Sequence, residues 1–161
     1  MDPQVLDAIA RFFDSTSELR RLGVIRSDKY LGDLAEYICS HLFEIELAAS
    51  GRQVGFDGTR DGRSIQIKYH GSSTRTNVDF GDPDQYQEAL VVLGPASRLR
   101  PAKQNADFLI YRFSSAMVRE HAQRDGLTYS CGGTPFQRDP DRIFSLSRPK
   151  EENISASKCD A

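Results

Sequence analysis

The sequence has few cysteines and no long apolar run, and each shortage excludes a class of protein. Its three cysteines, Cys39, Cys131 and Cys159, are far apart and form no C-x-x-C pair, which argues against a disulfide framework and a zinc ribbon. No apolar run approaches the roughly 18–20 residues that span a bilayer, and the N-terminal segment carries an acid where a secretory signal would be positive. We therefore expect a cytoplasmic protein with reduced thiols and no membrane partner.

A strong excess of charge of one sign is also missing. The formal net charge of -2 gives no global attraction to a polyanion, so a nucleic-acid partner would need a local basic patch. One candidate patch has five basic residues against two acids, namely Arg52, Arg60, Arg63, Lys68 and Arg75 against Asp57 and Asp61. A second basic run contains Arg98, Arg100 and Lys103. Most such runs are solvated surface, and this interpretation stays open for both.

Length and composition predict one globular domain. The chain has 161 residues, of which 39% are hydrophobic and 27% are charged, as in ordinary folded proteins. We place a single domain at residues 1–148, including an N-terminal helical segment at 1–26, and a flexible tail at 149–161. The segment 1–26 is expected to form two short helices or one broken helix, starting at Asp2 and Pro3 and ending at Gly23.

A long amphipathic helix is predicted next. It begins near Ser27, runs for about twenty residues and ends near Gly51. Its expected core stripe consists of Leu31, Leu34, Ala35, Ile38, Leu42 and Ile45. Glu36 lies on the flank of this stripe, where a partly exposed glutamate and a functional acid are both reasonable interpretations.

After Gly51 the periodicity changes to two, and Asp61-Gly62 predicts a hairpin with a type I′ turn. Because the loop fixes the register, Asp57 should face Gln66, and Lys68 should project from the same face of the sheet. Three polar side chains are thereby expected to converge. They are also compatible with the wet face of an ordinary strand.

The rest of the chain is predicted from short local signals. Residues 71–86 are rich in Gly, Ser, Thr, Asp and Pro and predict a loop, whereas 88–94 and 106–114 predict core strands. Ser114 or Ser115 should cap a helix that extends to about Arg124 and ends at Gly126. The remainder is expected to be loop with a short strand or two.

The convergent trio has a possible chemistry. Phosphodiester hydrolysis commonly uses a divalent cation to activate water and to offset negative charge, and Mg²⁺ prefers oxygen ligands. Asp57 could supply a carboxylate and Gln66 a neutral carbonyl oxygen. Lys68 could orient or help deprotonate the attacking water, or steady the phosphate.

These residues resemble the PD-(D/E)XK nuclease superfamily, in the Mrr-like variant with glutamine in place of the middle acid. The resemblance covers residues 30–70, through LGDLAEYICSHLF and GFDGTRDGRSIQIKYH, and extends to small bacterial proteins of that superfamily. It implies an α/β restriction endonuclease-like fold with a mixed central sheet flanked by helices. It also implies that Asp57, Gln66 and Glu36 bind Mg²⁺ or Mn²⁺ and that Lys68 is catalytic.

The function implied is a DNA nuclease acting in restriction, phage defence or repair, without a small-molecule cofactor. A homodimer is expected if both strands of a duplex are cut. We expect Arg60, Arg63, His70 and Arg75 to contact nucleic acid, although a histidine at a strand end, such as His70, is more often a solvent-facing residue. Because Gln66 lacks a charge, an inactive nucleic-acid- or protein-binding module remains an alternative, as does a structural or adaptor protein.

Overall fold

The computed structural model describes residues 1–22, 31–49 and 54–146. The chain divides into two compact units, Met1–Ile25 with Leu146–Ala161 and Arg26–Ser145. The predicted tail 149–161 and the predicted end signals Gly23, Ser27 and Gly51 lie outside the described residues. Within the described ranges, no helix combines the length and apolar character that a bilayer crossing requires.

The first unit contains one continuous helix, α1 (Pro3–Arg21), rather than two short ones. Asp2 caps it, because its carboxylate accepts a hydrogen bond from the Gln4 N–H at 2.8 Å. Pro3 occupies the first turn, where its missing N–H costs no helical hydrogen bond. The predicted start of the helix is therefore confirmed.

The second unit is a mixed α/β structure, which confirms the α/β part of the predicted fold class. Its helices are α2 (Leu31–Phe43) and α3 (Ser115–His121), and Thr134–Phe136 forms one 3₁₀ turn. The strands are β1 (Glu46–Leu47), β2 (Gly58–Arg60), β3 (Arg63–His70), β4 (Val78–Gly81), β5 (Glu88–Leu93), β6 (Phe108–Ser114), β7 (Gln123–Asp125), β8 (Thr128–Cys131) and β9 (Arg142–Phe144).

These strands form two sheets. The central sheet has the order β1-β2-β3-β5-β6-β9, and the minor sheet has the order β4-β8-β7. Strands β3 and β5 are parallel, whereas all other neighbours are antiparallel. The parallel pair needs a crossover, and the connecting residues 71–87 provide it while contributing β4 to the minor sheet.

The main core lies on one face of the central sheet, against α3 and the minor sheet. All six residues of β5 are buried, which explains why this strand is a continuous apolar run after its first glutamate. Helix α2 packs against β3, where Ile65 and Ile67 are buried. The core cluster consists of Val78, Phe80, Tyr86, Ala89, Val91, Leu93, Leu99, Leu109, Tyr111, Phe113, Val118, Cys131 and Phe136.

The end of α2 differs from the prediction. The helix ends at Phe43, because Glu44 adopts a positive φ of 55° and the Ile45 N–H bonds back to the Ser40 carbonyl at 3.0 Å. This is the geometry of a left-handed helix cap without glycine. Residues 46–47, predicted as helix, instead form β1.

The β2–β3 hairpin forms as predicted. Asp61 and Gly62 have φ values of 52° and 73°, the signs that a type I′ turn requires. The register pairs Arg60 with Arg63, Thr59 with Ser64 and Gly58 with Ile65. These three pairs are the predicted ones.

Two further segments differ from expectation. Helix α3 is capped by the Ser114 hydroxyl as predicted but ends at His121 rather than near Arg124, and β7 and β8 follow as a hairpin. The predicted loop 71–86 contains β4, because alternate residues Val78 and Phe80 are buried in the core. Short strands that pair with distant segments leave little local signal in the sequence.

The side chain of Tyr69 occupies the space beside two glycines. Ideal Cβ atoms on Gly71 and Gly94 would both overlap the phenol ring or hydroxyl of Tyr69. Gly94 follows β5 directly, and its N–H donates to the His70 carbonyl at 2.9 Å. The absence of side chains at both positions therefore leaves room for the Tyr69 ring beside the ends of β3 and β5.

Candidate active site

The carboxylate of Asp57 lies where β2 leaves β3. The strand ladder ends at Gly58 and Ile65, and the Asp57 N–H donates to the Ile65 carbonyl at 2.8 Å rather than pairing with Gln66. Asp57 Oδ2 accepts the Ile67 N–H at 2.6 Å and a hydrogen bond from Gln66 Nε2. The side chain thus replaces a missing strand partner for Ile67, and the expected meeting of Asp57 and Gln66 is made by side chains.

One oxygen of each polar side chain remains available. Within the described part of the chain, Asp57 Oδ1 and Gln66 Oε1 accept no protein hydrogen bond, while Oδ2 and Nε2 are engaged with each other. Both groups are half-buried. The pair can therefore present two oxygen ligands of different charge from adjacent strands.

Two acids in this neighbourhood are held toward their protonated forms. Burial raises the pKa of Glu36 to about 7, the charges of Asp57 and Asp33 add to the rise, and Lys68 opposes it. Burial also raises the pKa of Asp57, against the hydrogen bond from Ile67, the charge of Lys68 and the hydrogen bond from Gln66. The electrostatic influence of Asp57 and Lys68 on Glu36 places all three groups in one neighbourhood.

Lys68 lines two clefts of about 410 and 190 Å³. Both clefts also involve Tyr69, His70 and Arg75, and the larger one reaches Gly32 on α2. The lysine is half-buried and stands one alternate position beyond Gln66 on β3. Lys68 therefore contributes to a concave surface that is open to solvent.

The donor set fits a hard divalent cation. Glu36 and Asp57 supply carboxylates and Gln66 supplies a carbonyl oxygen, and burial is the main cause of the raised pKa values of both acids. A cation bound between them would favour their ionised forms. The described residues contain no group of three or more His, Cys, Asp and Glu side chains able to hold a metal ion.

The predicted basic residues take different positions. Arg63 and Arg75 are exposed, and Arg75 stands at the mouth of the Lys68 clefts. Arg60 is largely buried and pairs with Glu88 at 3.4 Å, so Glu88 already neutralises part of its charge. Glu88 also forms a bidentate pair with Arg112, with both N–O distances at 2.9 Å.

The second basic run does not act as one patch. Arg100 donates to backbone carbonyls, including those of Leu93 at 3.1 Å and Asp107 at 3.1 Å, and so ties the connection between β5 and β6 together. Arg98 and Lys103 are exposed. Arg98 donates to the Thr74 carbonyl at 3.4 Å, which places it beside the loop that carries Arg75.

His70 corrects our expectation, because it neither faces solvent nor presents a free ring nitrogen to phosphate. His70 is 3% exposed, and its Nε2 donates to the Arg75 carbonyl at 3.1 Å. Nδ1 lies 2.7 Å from the Ser97 hydroxyl, and in the neutral ring it accepts that hydrogen bond. His70 therefore anchors the loop that bears Arg75.

One large cavity was not anticipated from the sequence. Its volume is about 740 Å³, and its walls come from residues near 76–77, 113–123 and 130–138. Asn77 lines both this cavity and the smaller Lys68 cleft. No local motif marks the cavity, because segments far apart in the chain build it.

No protein-family model matches the sequence, and no curated protein matches it. We therefore base the functional proposal on the arrangement of Asp57, Gln66, Lys68 and Glu36, together with the resemblance of residues 30–70 to the PD-(D/E)XK nucleases.

Proposed function

We propose that this chain is a divalent-metal-dependent nuclease with a restriction endonuclease-like fold that hydrolyses phosphodiester bonds in DNA. The observation that carries the proposal is the contact of Asp57 with Gln66 at the point where β2 and β3 diverge, with Glu36 and Lys68 in electrostatic reach. The mixed central sheet and the packing of α2 on β3 support the same fold.

In this proposal Asp57, Gln66 and Glu36 hold Mg²⁺ or Mn²⁺. When bound, the ion supplies a more acidic water and positive charge beside the phosphate. Asp57 is fixed for this task, because the Ile67 N–H and the Gln66 amide hold Oδ2 and leave Oδ1 directed elsewhere. Ionised Glu36 would complete an oxygen-rich set of ligands.

Lys68 has the second role. Its ammonium opens on a cleft, where it can hydrogen-bond a phosphate oxygen or orient the attacking water. Arg75 lines the same cleft, is held by the His70 contact to its carbonyl, and adds positive charge for the DNA backbone. Together these cations provide a local phosphate-binding surface despite the net negative charge of the chain.

A DNA cleavage assay tests the proposal. Wild-type protein should nick or cleave DNA with Mg²⁺ or Mn²⁺, and Asp57→Asn and Lys68→Ala should each reduce the rate at least about 100-fold. Asparagine retains an acceptor for the Ile67 N–H, so this variant separates chemistry from folding. The exposed Asp125→Asn should keep wild-type activity, and equal cleavage by all four proteins would refute the proposal.

One contact favours a second candidate, a nucleic-acid- or protein-binding module with an inactive site. The Gln66 amide donates to Asp57 and thereby fills part of the coordination space with a neutral group. Calorimetric titration with Mn²⁺ separates the candidates. A nuclease should release or absorb heat on binding the ion and lose this signal in Asp57→Asn, whereas an inactive module should give no signal in either protein.

A further inference from the structure

The cavity of about 740 Å³ has a lining suited to a neutral, hydrogen-bonding heterocycle. Its size is in the range of about 300–1,000 Å³ found for small-molecule sites. The half-buried Met117 and Pro135 contribute apolar surface. No carboxylate is among its lining residues, so these residues would not repel a ligand that belongs to a polyanion.

Polar groups at the rim of this cavity are available for a ligand. Within the described residues, the side chains of Asn77, Gln123, Ser130 and Thr134 form no hydrogen bond with the protein. Two are amides, which present a donor and an acceptor together and match the edge of a nucleobase. Arg138 is engaged elsewhere, because it pairs with Asp141 at 2.7 Å and stacks over Tyr111 at 5.3 Å.

The cavity adjoins the candidate active site. Asn77 lines both the cavity and the smaller Lys68 cleft, and Arg75 lies on the cleft side of the same short segment. A nucleic-acid strand whose phosphate contacts Lys68 and Arg75 therefore has a neighbouring recess for one of its bases. A base within a duplex is paired and stacked, so it can enter such a recess only when it is unpaired.

We propose that this cavity binds an unpaired nucleobase of the substrate, so that the favoured substrate is single-stranded nucleic acid or a duplex with an unpaired nucleotide. This inference rests on the proposed function, and it names the substrate class of that site. The base edge is bound by Asn77 and Gln123, and its ring lies against Met117 and Pro135. Strand cutting of this kind requires only one copy of the chain.

Fluorescence of 2-aminopurine provides the test. A short single-stranded oligonucleotide with one 2-aminopurine is titrated with wild-type protein in EDTA, where no cleavage occurs. We expect a saturable change of emission. The affinity should fall about tenfold in the double variant Asn77→Ala, Gln123→Ala and in the cavity-filling variant Ser130→Phe. The fully paired duplex should bind at least about tenfold more weakly than the single strand.

Matched controls keep the outcomes distinct. Asn105→Ala removes an exposed loop amide that lines none of these cavities, and it should leave the affinity unchanged. Thermal unfolding of every variant identifies those that fail to fold, and Thr134→Ala provides a second, milder change of the same rim. DNA and RNA oligonucleotides and free 2-aminopurine riboside are compared in parallel. Binding of the riboside without binding of either oligonucleotide would refute the inference.

The outcomes for the base site and for the proposed nuclease activity are independent of each other. Unchanged affinity in the double variant and in Ser130→Phe, or preference for the paired duplex, refutes the base site even if DNA is cleaved in an Asp57-dependent manner. Conversely, base binding that depends on Asn77 and Gln123 supports the site even if no cleavage is found. That second outcome would refute the nuclease and leave the binding module.

Discussion

At the scale of the residue, Asp57 carries two tasks that compete for the same side chain. Oδ2 satisfies the Ile67 N–H that β2 leaves unpaired, and Oδ1 is the candidate metal ligand. Replacement by alanine would remove both functions at once, and the buried Ile67 N–H left without a partner would cost about 1–3 kcal/mol. Asparagine at this position therefore reports the loss of the metal ligand, whereas alanine also reports the loss of stability.

Glu36 should make the stability of the metal-free protein depend on pH. Its pKa rises from an ordinary value near 4.5 to about 7 in the folded state. Between these values the folded protein retains a proton that the unfolded chain has lost, so the free energy of unfolding falls as the pH rises through this window. We expect a fall of about 1–2 kcal/mol, reduced from the full linkage value because Glu36 is half-buried.

Glu36→Gln should abolish most of this slope and be more stable than wild type above pH 7. Urea unfolding at a series of pH values measures the effect, with the exposed Glu44→Gln as control. A slope that is the same in wild type and Glu36→Gln would contradict the prediction.

At the scale of the element, the sequence predicted structures defined by local chemistry. Asp61-Gly62 fixed the hairpin register, and the apolar runs at 88–94 and 106–114 became β5 and β6. The end of α2 and the presence of β4 were not predictable in the same way. Glu44 adopts a conformation that glycine favours, and β4 exists because β8, about fifty residues later, pairs with it.

The candidate site shows the same division. Alternation along β3 and the hairpin turn brought Asp57, Gln66 and Lys68 together in the sequence-based prediction. The burial of His70, the ion pair of Arg60 with Glu88 and the large cavity depend on long-range packing. No spacing within a short segment encodes those contacts.

Gly58 should be intolerant of a side chain. A Cβ there would lie 2.6 Å from Ile45 Cγ2 and 2.7 Å from the Glu46 carbonyl oxygen, so β1 would have to move away from β2. We expect Gly58→Ala to lower the free energy of unfolding by about 1–3 kcal/mol. In Gly132→Ala the nearest atom is Thr76 O at 3.6 Å, so urea unfolding should show a change within about 0.5 kcal/mol.

Glu88 connects three strands through buried charge. It lies on β5 and pairs with Arg60 of β2 and Arg112 of β6, and its side chain is 8% exposed. Glu88→Gln would leave two arginines without their counter-charge, and we expect a loss of about 2–3 kcal/mol in urea unfolding. The exposed Glu120→Gln is the control, and equal stability of both variants would contradict the prediction.

At the scale of the whole molecule, the proposed binding of nucleic acid would work against a formal net charge of -2. Binding should therefore depend on few phosphate contacts, with a shallow dependence of affinity on salt. Arg75→Ala should weaken DNA binding at all sequences and reduce the slope of log affinity against log salt by about one. Arg142→Ala, on β9 at the opposite edge of the central sheet, should leave the slope unchanged in fluorescence anisotropy titrations.

Because the phenol ring of Tyr69 fills the space beside Gly71 and Gly94, the residues that positions 69, 71 and 94 can accept depend on one another. Alanine at Gly71 or Gly94 requires the Tyr69 ring to turn away or to be replaced by a smaller side chain, so we expect either substitution to be destabilising while Tyr69 is present. In a library that varies all three positions, the folded variants should have either tyrosine at position 69 with glycine at 71 and 94, or a small residue at position 69 with a wider choice of residues at 71 and 94.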